Sequence, residues 1–258
     1  MRRSETRSAD SRGPVPESYL LLAERARNEA ARRRWARTGL RLSSNKETSF
    51  LLLEQLFKAD FREGDYRSAL DAATAMIRLE MLADGAWARA AACHLALGDL
   101  DNTEKALRQA VAKAPGQRRA YHLWSLGAFL HMHGRLAEAL QAFGRGERIA
   151  SSPLTRAHAA AVRCELGEPP AQIDQLVQDL EADPTREGYG RFVLGLLYRH
   201  EGDAARASEN LQAFVRRCEE DPRERAVTLA RELEIARRLL GETHRARVIP
   251  IRAARRAR

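Results

Sequence analysis

The stretch "EGDYRSAL" at residues 63–70 decides the fold, because the chain repeats its pattern. "LGDLDNTEKAL" at 97–107 and "HGRLAEAL" at 133–140 follow the same order: a glycine, a polar or charged residue, a large apolar residue, then an Ala/Leu-rich amphipathic run. The glycines Gly64, Gly98, Gly134, Gly167 and Gly202 are spaced by 34, 36, 33 and 35 residues. Pro115-Gly116-Gln117-Arg118-Arg119 is where the longest spacing takes its extra residues. A period near 34 residues belongs to a two-helix unit stacked on copies of itself. Each glycine then marks an elbow, ending the first helix at φ > 0 so that the next residues start the second.

The rest of each period extends the match. The second holds Trp87, Ala90 and Ala91, then Leu107, Ala110 and Pro115; the third holds Leu126-Gly127, Ala139 and Phe143. The fifth holds Leu194-Gly195, Tyr198, Gly202-Asp203, Ala207 and Leu211. The first keeps Gly64-Asp65-Tyr66 and Ala69-Leu70 without the Leu-Gly pair, and the fourth keeps Gly167 and Pro184. With these residues, 50–222 resembles the tetratricopeptide repeat family, whose motif runs W-x2-L-G-x2-Y, A-x3-F, P. The resemblance implies an all-α, right-handed α-solenoid of about five helical hairpins, near 50–83, 84–119, 120–152, 153–187 and 188–222.

Composition agrees. The 258 residues are 44% apolar and 31% charged, enough for a folded body, and Ala, Leu, Arg and Glu favour helix. No alternating β-branched run predicts a strand, and no apolar run nears the roughly 18 residues that cross a bilayer. The cluster Tyr19-Leu20-Leu21-Leu22-Ala23 is too short for a secretory core, so the expectation is a cytoplasmic protein without membrane contact. Cys93, Cys164 and Cys218 lie far apart and read as reduced thiols, not a zinc site.

The net charge of +9 is unevenly placed. Residues 1–41 carry +6, residues 245–258 carry +6, and 42–244 carry −3. The repeat body lacks the basic stripe expected of a nucleic-acid-binding solenoid. Residues 1–16 read as a flexible basic tail, and 17–49 as a basic helix and linker. In that helix, from about Glu17 to Thr38, Arg residues near the end oppose the dipole, Trp35 packs on the first repeat and Gly39 caps. Residues 223–241 form an amphipathic cap helix, with Ala226, Leu229, Ala230, Leu233, Ala236 and Leu240 on one face, and 242–258 a flexible Arg-rich tail. Only Lys46, Lys58, Lys105 and Lys113 are lysines; the Arg and Ala bias fits a GC-rich bacterial genome, which weakens arginine density as a sign of phosphate binding.

Nothing in the sequence points to catalysis, a cofactor or a metal. His131 and His133, two apart, face different ways on a helix, and the other histidines read as structural or solvent-facing. No phosphate-binding glycine loop or nucleophile elbow is present.

In the resembled family, first-helix positions line a concave groove. Counting from 50, 84, 120 and 188 gives Leu51, Glu54, Lys58, Phe61 and Arg62; Ala88, Ala92 and Leu95; Tyr121, Trp124, Ala128, His131 and Met132; and Tyr189, Phe192, Leu196, Arg199 and His200. The carboxylate clamp of some family members needs Lys and Asn here; only Lys58 fits, so that clamp is rejected. An apolar, aromatic surface implies a non-catalytic scaffold or adaptor that binds a partner helix or peptide. Two alternatives stand beside it: the chain's own N-terminal helix fills the groove, or the protein associates weakly with nucleic acid through its Arg-rich termini.

Overall fold

A computed structural model describes residues 15–220 and 227–253, with side chains as far as Gly241. Among these residues all regular structure is helical. The chain divides into two compact units, Met1–Met81 and Leu82–Arg258.

The first unit contains α1 (Pro16–Glu24), α2 (Glu29–Leu42), α3 (Lys46–Glu63) and α4 (Tyr66–Arg78). The single basic helix expected over 17–38 is two helices. The chain breaks after Arg25, and the Asn28 side chain accepts from the Ala31 N–H at 2.8 Å to start α2. Gly39 is not a cap but lies inside α2. A Cβ there would sit 2.9 Å from Leu52 and 3.0 Å from Tyr19, so the glycine lets α1, α2 and α3 meet closely. Trp35 packs on Tyr19 of α1, ring centroids 6.0 Å apart, with Arg34 over its face.

The second unit runs α5 (Ala83–Ala96), α6 (Leu100–Lys113), α7 (Gly116–Met132), α8 (Leu136–Glu147), α9 (Pro153–Glu165), α10 (Ile173–Ala182), a 3-10 turn (Pro184–Glu187), α11 (Gly190–His200), α12 (Ala204–Glu220) and α13 (Ala230–Ala253). The helices pack in consecutive pairs, and the first helices α7, α9 and α11 also stack on one another. α13 continues past the boundary drawn at 241. The tails at 1–14 and 254–258, and the start of the cap at 223–226, lie outside the described residues.

The five elbows share one geometry. Gly64, Gly98, Gly134, Gly167 and Gly202 have φ of 83°, 75°, 74°, 78° and 81°. The N–H after each reaches five residues back, Asp65 to Asp60, Asp99 to His94, Arg135 to Leu130, Glu168 to Arg163 and Asp203 to Tyr198, each at 2.9 Å. These are Schellman closures, which use a left-handed residue to satisfy the last carbonyls of a helix. Asp65, Asp99 and Asp203 then cap the following helix by accepting from Ser68, Asn102 and Arg206 N–H groups. A Cβ at Gly98 would meet nothing within 4 Å, so Gly98→Val meets backbone strain and no clash. We expect a loss of about 1–2 kcal/mol, read from the urea midpoint. An unchanged midpoint would contradict the left-handed elbow.

Between helices the core is built from small residues against a few large ones. Phe143 of α8, fully buried, fits against α7 because position 127 is glycine; Leu211 of α12 fits against α11 because position 195 is glycine. The Leu-Gly pairs noted in the sequence are therefore sites of close helix approach.

Candidate protein-binding groove

The first helices of the second unit carry the residues the register assigns to a groove. Ala88, Ala92 and Leu95 of α5, and Tyr121, Trp124 and Ala128 of α7, line one trough of about 620 Å³. Leu100, Thr103 and Leu107 of α6 close one side, and Leu229 with Ala230, Glu232 and Glu234 of α13 close its end. Tyr121 is 62% exposed, the most open aromatic of this face. Trp124 is half-buried, edge-on to Tyr189 at 5.0 Å and 5.9 Å from Tyr121.

Two positions of the expected groove are covered. Phe192 is wholly buried, and Met132 is only 6% exposed. Both belong to a cluster with Leu211, Phe214 and Cys218 of α12 and Leu233, Ala236 and Leu239 of α13, edged by Tyr189 and Leu196. These positions share a helix face, and that face holds the protein's own C-terminal helix. With α13 in place Phe192 is buried and presents no free surface. Leu196, half-buried, and Arg199, exposed, border a second opening of about 530 Å³ that Ile235, Arg238 and Leu239 of α13 help to line. Lys58 belongs to the first unit and sits 3.7 Å from Glu54 on its own helix; Phe61 is core there.

Two polar clusters lie beneath this face, and the sequence reading missed both. Asp84, nearly buried, binds Arg118 through both of its oxygens and stands 3.1 Å from His122 Nε2. Burial pushes its carboxyl up, but Arg118 and then His122 more than offset this and hold it below the usual range. Its folded value is depressed, so its stabilisation is complete above the ordinary pKa and disappears as the pH falls through the folded one. The signal was the Asp84-to-Arg118 spacing of one repeat, read only as part of the insertion.

The second cluster is a chain of three. His131 Nε2 meets Glu165 Oε1 at 2.9 Å, and His131 Nδ1 meets His158 Nε2 at 2.8 Å. Burial, with His131 beside it, keeps the His158 pKa well below its ordinary value, so His158 is neutral. His131 thus ties α7 to α9 at the edge of the second opening. Among the described residues no three His, Cys, Asp or Glu side chains are grouped to hold a metal, and no helix is long and apolar enough to cross a membrane.

α13 adds one buried acid. Glu232 is 7% exposed, and its Oε1 accepts from the Tyr189 hydroxyl at 3.1 Å. Burial raises its pKa to about 7, with its own N–H and Tyr189 opposing. The sequence carried a sign of this: Glu232 is three residues after Leu229 and falls within the apolar stripe of the helix.

The architecture is similar to that of a tetratricopeptide repeat protein from Parabacteroides merdae. The two share 15% identity over 88% of this chain and 96% of that one, with a TM-score of 0.59. At that identity the likeness shows the fold alone: this is a tetratricopeptide-like all-α repeat fold. No family model and no curated protein matches the sequence.

Proposed function

We propose that this protein is a non-catalytic scaffold whose second unit binds a partner helix or peptide in the trough between α5, α7 and the start of α13. Folds of this kind generally mediate protein–protein interaction and are usually non-catalytic. The observation that carries the reading is the trough itself: about 620 Å³, walled by Ala88, Ala92, Leu95 and Ala128 and lipped by the exposed ring of Tyr121. Small residues leave room for a partner's apolar side chains, while Tyr and Trp are favoured interface anchors. The nucleic-acid alternative gains no support from the first unit. There Arg33 is held by Asp60 at 2.5 Å and Glu63 at 2.7 Å, and Arg32 is paired with Glu29.

The test is a photo-crosslinker at Tyr121, with and without Ala92→Arg. An arginine at position 92 fills the trough from its half-buried wall without entering the core, so we expect stability within about 1 kcal/mol of the parent. The crosslinked partner is expected to fall at least tenfold. Full crosslinking in a folded Ala92→Arg protein would remove the trough as the binding surface.

A further inference from the structure

We propose that α13 is a releasable occupant of this groove, seated where the amphipathic helix of a partner goes, and that Glu232 sets how firmly it is held. The proposal rests on reading the groove as a partner surface, and it adds what the partner looks like and how access is controlled. The occupant shows the chemistry that fits. Leu233, Ala236 and Leu239 pack on Met132, Phe192 and Phe214, with Leu229 and Leu240 at their edge. A partner helix with leucines at this 3–4 spacing matches the same surface. The open trough runs on from it, sharing Leu229, Ala230 and Glu232 as lining. A partner lodged in the trough therefore abuts α13 and reaches the surface beneath it only by displacing it.

Glu232 makes the seat conditional. A carboxylate in an apolar groove is poorly solvated unless a cation faces it. Among the described residues, the group facing it from the α11 side is the Tyr189 hydroxyl, with the neutral His158 ring 5.4 Å behind Tyr189. α7 contributes His122 and His133 to the same trough, of which His122 is bound to Asp84 and His133 to the Phe129 carbonyl; the lining residues of α5 and α6 carry no charge. From α12, Cys218 packs in the cluster, and Glu219 pairs with Arg237. On its own helix, Arg231 pairs with Glu234. The docked carboxyl thus prefers to keep its proton, with a pKa near 7 against an ordinary 4.5. The docked state binds the proton more tightly than the released one. Docking is therefore strongest below the ordinary value, weakens as pH rises through the window up to about 7, and is level above it. Between pH 5.5 and 7.5 the docking constant falls about twentyfold.

Hydrogen exchange on the full chain reads this directly, with rates referred to the intrinsic exchange at each pH. Protection over 230–241 is expected to be about twentyfold lower at pH 7.5 than at pH 5.5, while α7 and α11 keep theirs. Glu232→Gln is expected to erase the difference. A synthetic peptide of residues 227–241 with Gln at 232, added at pH 7.5 to a 15N-labelled chain, is expected to speed exchange of the chain's own α13. Equal protection at both pH values, loss of α11 and α12 in step with α13, or a peptide that leaves α13 unmoved would each overturn the proposal. If α13 stays fixed while Ala92→Arg still removes the crosslink at Tyr121, the releasable helix is wrong and the groove reading stands.

Discussion

Phe192→Ala is expected to lower stability by about 3–5 kcal/mol, whereas Tyr121→Ala, on the same register face two hairpins earlier, is expected to stay within about 1 kcal/mol of the parent. The contrast follows from what covers each ring. Phe192 has no exposed surface, lies tilted against Phe214 at 5.2 Å and edge-on to Tyr189 at 5.6 Å, and packs with Leu233, Ala236 and Leu239. Truncation leaves a cavity that three helices, α11, α12 and α13, must shift to close. Tyr121 is mostly in water and supports nothing above it. In a unit of this size the Phe192→Ala loss corresponds to a fall of roughly 6–20 °C in melting temperature. Thermal melts of the two variants check the claim, and crosslinking of the Tyr121 face shows whether binding was lost with the fold or without it. If Phe192→Ala melts like Tyr121→Ala, α13 does not cover that ring.

The repeat was legible because its elbows are dictated locally. A helix that must end and reverse within three residues needs a left-handed position, and glycine reaches it without strain. Five glycines near one period therefore located all five turns in the second and first units alike, and the structure gives each the same φ within 9°. The groove positions come from the family resemblance for four of the five first helices, and 3.6-residue periodicity says only that such positions share a side. What covers that face was not legible. Met132 and Phe192 have the composition of an interface whether the occupant is a partner or the same chain, and sequence periodicity carries no information on the partner of a stripe. The leucines of α13 were recognised as amphipathic and assigned to the last hairpin, where Phe214 and Cys218 do receive them. Their reach to Met132, two hairpins before the last, is a long-range fact. The N-terminal break was missed for a different reason: Arg25–Asn28 contains neither Pro nor Gly, and only the Asn28 cap marks the restart of the helix.

The last prediction sets two glycines of one hairpin against each other. Gly127→Val is expected to destabilise by about 1–3 kcal/mol, and Gly144→Ala to stabilise by about 0.5–1 kcal/mol. Both positions are helical, so glycine costs backbone entropy at each. At Gly144 a Cβ meets nothing within 4 Å, and alanine simply improves the helix. At Gly127 a Cβ would lie 2.5 Å from Cε1 and 2.7 Å from Cδ1 of Phe143, whose ring is fully buried and packed against Leu123, Leu126 and Leu130. Either the buried ring leaves its rotamer or α7 and α8 separate, and dispersion contacts of the pair are lost in both cases. Valine adds a stiff β-branch to the same clash. Relief by Phe143→Leu in the Gly127→Val background would locate the strain at this contact. Denaturant midpoints for the two single variants and the double variant check it. A Gly127→Val protein as stable as its parent would mean that α7 and α8 are not in contact at that position, and the hairpin geometry of the third repeat would have to be redrawn.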